Sequence, residues 1–70
     1  MMPLAMSSPG EKQVIARVGG NEKTRKFLEN LGFVQGAEIS IVSSLNGNLI
    51  VNVKDSRVAI DQAMATKIFV

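Results

Sequence analysis

Phe27-Leu28-Glu29-Asn30-Leu31-Gly32-Phe33-Val34-Gln35-Gly36-Ala37-Glu38-Ile39 holds the end of an amphipathic helix, two glycines and the start of a strand in one short run. A helix ends readily on a residue at positive φ, and glycine adopts that conformation without a Cβ clash. Gly32 is placed for that role. With Leu31 as the cap, Phe33 is the apolar residue just beyond the helix and Leu28 its contact in the last turn, the Schellman arrangement. Gly36 supplies a second turn before Ala37 leads into Ile39 and Ile41. The junction fixes a fold and contains no catalytic group, so its glycines read as architectural.

Upstream of the junction, Asn21 is a good N-cap for a helix that runs from Glu22 to Leu31. Its apolar stripe is Phe27, Leu28 and Leu31, while Lys23, Arg25, Lys26 and Asn30 face out. Glu22 and Lys26 form an i,i+4 pair worth a few tenths of a kcal/mol. Before Gly19-Gly20, the stretch Lys12–Val18 alternates, with Val14, Ala16 and Val18 on one face and Gln13, Ile15 and Arg17 on the other. It reads as a first strand. Ser7-Ser8-Pro9-Gly10 is a turn by composition.

Downstream, Asn46-Gly47 invites a two-residue type I′ hairpin turn. In that register Val42 opposes Val51 and Ile41 opposes Asn52, which splits the apolar residues between both faces. A three-residue loop, Asn46-Gly47-Asn48, opposes Leu45 to Leu49, Ser43 to Val51 and Ile41 to Val53. It gathers Ile39, Ile41, Leu45, Leu49, Val51 and Val53 on one face. Because a one-residue slip exchanges the faces of a strand, burial favours the three-residue loop. Val42 and Ile50 then point outward as diagonal neighbours. Lys54-Asp55-Ser56 is a polar turn, and Arg57–Ile60 a strand with Val58 and Ile60 on one side. Asp61 caps a helical turn over Gln62–Ala65, and Lys67–Val70 is a last strand, with Phe69 opposite in direction to Ile68 and Val70.

The 70 residues make one domain, 1–70. A chain of this size buries only about 60% of its unfolded surface, so closing the sheet protects edges it has little core to cover. The expected fold is mainly β, a small closed SH3-like barrel of about five short strands. It carries one short α-helix between the first and second strands and a helical turn before the last.

Composition excludes much chemistry. There is no cysteine and no histidine, which removes thiolates, disulfides, the commonest general base and the commonest transition-metal ligand. Tryptophan and tyrosine are also absent, so no aromatic platform for single-stranded nucleic acid is expected. The six carboxylates are scattered over turns and helix ends, and no metal or cofactor site is expected. Gly19-Gly20 lacks the spacing and lysine of a phosphate loop. Ser7, Ser8 and Thr24 have no base beside them, so an enzyme is not expected. The start, Met1–Met6, lacks the basic flank of a signal peptide. No apolar stretch approaches the ~20 residues that span a bilayer, so a cytoplasmic protein without membrane insertion is expected.

The residues resemble the FeoA family. The matching pieces are Leu4 with Pro9-Gly10-Glu11, then Ile15-Ala16-Arg17-Val18 with the following glycine. Arg25-x-x-Leu28-x-x-Leu31-Gly32-Phe33-x-x-Gly36-x-x-Ile39 follows. Gly47 with Ile50 and Val53, Arg57-Val58-Ala59-Ile60, and Ala65 with Ile68 and Val70 complete the series. Gln35 departs from it, since the family often has proline before the second glycine. Every matching residue is structural: Leu28, Leu31, Gly32, Gly36 and Gly47 carry a fold. The resemblance implies an SH3-like barrel and a cytoplasmic accessory protein of ferrous iron transport, which binds or regulates FeoB, a membrane permease with a GTPase domain.

For partner binding the candidates are the outward pair Val42 and Ile50, the helix cations Lys23 and Lys26, and Arg57, which could act as an arginine finger or simply make a salt bridge. The basic cluster Lys23, Arg25 and Lys26 reads as a solvated face or a match for an acidic protein surface. A small-barrel nucleic-acid-binding protein is the alternative, although three to five dispersed cations are few for phosphate binding. Weak self-association through edge strands is a third expectation.

Overall fold

In a computed structural model that describes all residues, 1–70, the helix junction folds as its glycines require. Helix α1 (Glu22–Asn30) starts on Asn21, whose Oδ1 accepts from the Thr24 N–H at 2.8 Å, and ends on Leu31. Gly32 has φ +103°. The Phe33 N–H donates to the Leu28 carbonyl at 2.9 Å and the Gly32 N–H to that of Glu29 at 2.9 Å. These are the two bonds of a Schellman cap, and the Leu28 and Phe33 side chains are both fully buried. Phe27, expected on the apolar stripe, is instead 47% exposed. The buried aromatic place belongs to Phe33, which the cap turns back under the helix.

The strand expected over Lys12–Val18 is two strands. β1 (Lys12–Val14) pairs antiparallel with β3 (Glu38–Leu45), and β2 (Arg17–Val18) pairs with β6 (Ile68–Phe69). The change of partner occurs at Ile15–Ala16. The Ile15 N–H bonds the Ala37 carbonyl, while the Ala16 N–H bonds that of Phe69. Ile15 is buried and Val14 is 55% exposed, so the simple alternation breaks where the chain crosses between sheets. The strand count is therefore six rather than about five, and α1 lies between β2 and β3.

The larger sheet has the order β1-β3-β4-β5, with β4 at Asn48–Val53 and β5 at Ser56–Ile60; the smaller is β2-β6. The two wrap one apolar core that includes Leu4, Ile15, Leu28, Phe33, Ile39, Ile41, Leu49, Val51, Val53, Ile60 and Ile68. The ladders do not close into a ring, contrary to the closed barrel expected, and β1 and β5 remain sheet edges. Asp61 caps α2 (Gln62–Ala65), its Oδ1 accepting from the Met64 N–H at 2.9 Å.

The β3–β4 hairpin corrects the register chosen from sequence. Its loop is the two-residue Asn46-Gly47 turn, with φ +53° and +84°, the signature of type I′. Leu45 pairs with Asn48, Ser44 with Leu49 and Ser43 with Ile50, whereas Ile41 pairs with Val51 and Ile39 with Val53. The odd residue is absorbed by a bulge between Ile41 and Ser43. The bulge reconciles two demands that a straight ladder sets against each other: the turn that Asn-Gly favours and the burial of Ile39, Ile41, Leu49, Val51 and Val53. Only Leu45 leaves the apolar set. It is 73% exposed near the hairpin tip.

Candidate functional site

The bulge also decides what the outer face of the large sheet displays. Val42 and Ser43 together oppose Ile50, so the outward pair expected from sequence forms, with Val42 beside Ile50 across the hairpin rather than on a diagonal. Val42 and Ile50 are 38% and 39% exposed. Ladder positions then extend the face. Ile50 pairs with Ala59 and Asn52 with Arg57, while the inward residues Leu49 and Val51 pair with Ile60 and Val58. Arg57 therefore shares this face with Val42 and Ile50. Its Nε donates to Asn52 Oδ1 at 3.4 Å, and it makes no ion pair.

Leu45 and Ala59 belong to the same face. A groove of about 240 Å³ is lined by Ser43, Leu45, Asn48, Leu49, Ile50, Ala59 and Ile60. No charged side chain lines it. From Ile39 to Val53 the chain contains no charged residue at all. This charge-free run, read together with Asn46-Gly47, is the sequence signal that would have placed Leu45 outside. Charged residues are depleted at the centres of protein interfaces because their desolvation is costly, and this hairpin imposes no such cost.

Lys23 and Lys26, the other candidates, lie on α1, outside this sheet. Lys26 Nζ is held 3.2 Å from Glu22 Oε1 in the expected i,i+4 pair, both side chains well exposed. Such a pair contributes little to stability. Leu28 is buried, Leu31 half-buried, and Gly32, Gly36 and Gly47 all take positive φ. Gly47 is closely packed as well: a Cβ there would lie 2.8 Å from the Gln62 side chain of α2.

No group of three or more carboxylates is placed to hold a metal ion, and histidine and cysteine are absent from the chain. No helix is long and apolar enough to cross a membrane.

Comparison with known proteins supplies the family. The family model described as the FeoA domain matches residues 2–70. The chain belongs to the FeoA family. It is 29% identical over its whole length to an Fe(2+) transport protein A of Methanocaldococcus jannaschii, covering 85% of that protein. A crystal structure of an iron uptake regulatory protein, FeoA, superposes with a TM-score of 0.89 at 28% identity, over 96% of this chain and 91% of the other. The zinc complex of Stenotrophomonas maltophilia FeoA superposes with a TM-score of 0.83 at 27% identity, over 99% and 88% of the two chains. That protein is described as a procaryotic SH3 domain protein and discussed as a ferrous iron transport activating factor. The architecture here is accordingly a small SH3-like fold, with its sheets open rather than closed.

Proposed function

We propose that this FeoA-family chain is a non-enzymatic accessory protein of ferrous iron transport. It acts in the cytoplasm by binding the GTPase-bearing portion of an FeoB-type permease through the outer face of β3, β4 and β5. The observation that carries this reading is the charge-free hairpin Ile39–Val53, with Val42, Leu45 and Ile50 exposed on one side of it. Apolar anchors surrounded by Ser and Asn make an interface that is cheap to desolvate and directional at its rim. Iron, in this reading, is the transporter's cargo. Arg57 and Lys12 end one cross-strand row on this face, through Asn52 and Ser40, and place a cation on each side of it.

The test is the double variant Val42→Ser with Ile50→Thr, assayed by thermal melting and by capture on the transporter's cytoplasmic portion. Both residues lie outside the core, so the melting temperature is expected to hold. Binding is expected to fall steeply, since anchors at an interface centre each contribute ~2 kcal/mol or more. Unchanged melting with unchanged capture removes this face from the interface.

A further inference from the structure

The charges of the molecule are unevenly placed. Arg17 of β2, Lys23, Arg25 and Lys26 of α1 and Lys67 beside β6 lie on one side with only Glu22 and Glu29, an excess of three positive charges. Lys67 is tied to that side through Gly20, where a Cβ would sit 2.9 Å from Lys67 Cδ and 3.4 Å from Thr24 Cγ2 of α1. The remaining three cations face four carboxylates. Within the basic side, Arg17 and Arg25 line one cleft of about 200 Å³ together with Val18, Glu29, Phe33, Val34 and Gln35.

Arg17 is held in place before any ligand arrives. Its guanidinium carbon lies 5.0 Å from the centroid of the Phe69 ring, which belongs to its own cross-strand partner. On its other flank the backbone of Gly19 comes so close that a Cβ there would lie 3.3 Å from Arg17 Nη2. A guanidinium stacked in this way keeps its planar fork of donors free. Neither Arg17 nor Arg25 makes an ion pair, and Glu29 lines the same cleft without pairing to either.

The geometry points to a recognition site for an acidic protein segment, in which Arg17 and Arg25 clamp one carboxylate side chain beside the half-buried Val18 and Val34. Two guanidinium forks match the geometry of a carboxylate. Glu29 leaves the cleft with one net positive charge, which suits a monoanion and disfavours the denser charge of phosphate. This site is separate from the apolar face of β3–β5, and its assignment does not depend on the partner proposed there.

The probe is a synthetic peptide carrying aspartates in a Gly-Ser background, titrated at physiological salt while the arginine Nε–H resonances are followed by NMR. Saturable shifts confined to Arg17 and Arg25 and to the backbone around Val18 and Val34 are expected. Arg17→Ala with Arg25→Ala should weaken binding by roughly tenfold or more, as loss of charge-assisted bidentate bonds does. Arg17→Lys, which keeps the charge and loses the fork, should weaken it several-fold. Glu29→Gln should tighten it. All five substituted side chains (Arg17, Lys23, Arg25, Lys26 and Glu29) are exposed, and melting curves check that the fold is kept. The assignment is overturned if Arg17→Lys binds like the native chain, or if Lys23→Ala with Lys26→Ala costs as much as the arginine pair, because attraction would then be diffuse. Tighter binding of an oligouridylate or a phosphoserine peptide than of the aspartate peptide overturns it equally.

Discussion

Substituting Gly32 separates two costs that the structure assigns to one position. An alanine there must hold φ near +103°, and its Cβ would lie 3.2 Å from Cγ2 of the buried Val53. Gly36 provides the control: its φ is +87°, and a Cβ there meets nothing within 4 Å. Left-handed backbone costs an L-residue about 1–2 kcal/mol, so Gly36→Ala should lose about that much. Gly32→Ala adds the displacement of a packed valine, about 1 kcal/mol or more by analogy with overfilled cores. The sum is roughly 2–4 kcal/mol, a large share of what a small domain has. At about 4–8 °C per kcal/mol, melting should fall by roughly 10–25 °C for Gly32→Ala, against about half of that for Gly36→Ala. Thermal and urea melts followed by far-ultraviolet circular dichroism read both. Introducing Val53→Ala beside Gly32→Ala should recover the steric part as a favourable coupling. Equal losses at Gly32 and Gly36 would refute the contact with Val53, and an unchanged melt at Gly32 would refute the Schellman cap itself.

Three further outcomes follow from the same geometry. Leu49→Ala should cost about 2–5 kcal/mol in urea melts, whereas Leu45→Ala should stay within about 0.5 kcal/mol; equal losses would restore the three-residue register. Asn21→Ala, which removes the 2.8 Å cap bond to Thr24, should cost about 1 kcal/mol of stability, and a neutral result would show that water caps α1 as well. Anaerobic calorimetry with Fe(II) should show no tight, stoichiometric site, because no cluster of ligands is placed to make one, and a saturable one-to-one isotherm would overturn that reading.

What sequence reading recovers here depends on how local the determinant is. The α1 cap, the α2 cap on Asp61, the positive φ of Gly32 and the turn at Gly36 are decided by residues within a few positions of one another, and each forms as read. The split of the first strand is not local. Ile15 and Ala16 choose their partners from Ala37 and Phe69, far along the chain, and nothing in an alternating run marks where it will change sheets. Leu45 failed for a related reason. A strict period of two has no place for an extra residue, although the Asn46-Gly47 signal for a two-residue turn is legible. Val42 and Ile50 come out on one surface both in a three-residue register and in the bulged ladder that forms, so the outward pair is legible although the ladder that joins them is not. Arg57 was legible as a candidate but not as their neighbour, since that requires the pairing of β4 with β5.

The bulge at Val42 connects fold and surface by a further step. β1 flanks β3 only through Ser40, the Gly10 N–H reaches the Ile41 carbonyl, and from Val42 to Leu45 the second edge of β3 is open. Open edges are ordinarily protected by charge, by proline or by a bulge that spoils regular pairing. This edge carries neither charge nor proline, so the bulge is its protection. A lysine at position 43 or 44 would protect the edge with less disturbance to the ladder. It would also place a charge on or beside the face that Val42, Leu45 and Ile50 make, and burying that charge against a partner would be costly. A bulge guards the edge while leaving the face uncharged. That combination suits the interface proposed for this face, and it makes Ser43→Lys a selective probe: the fold should tolerate it, and binding through the outer face should not.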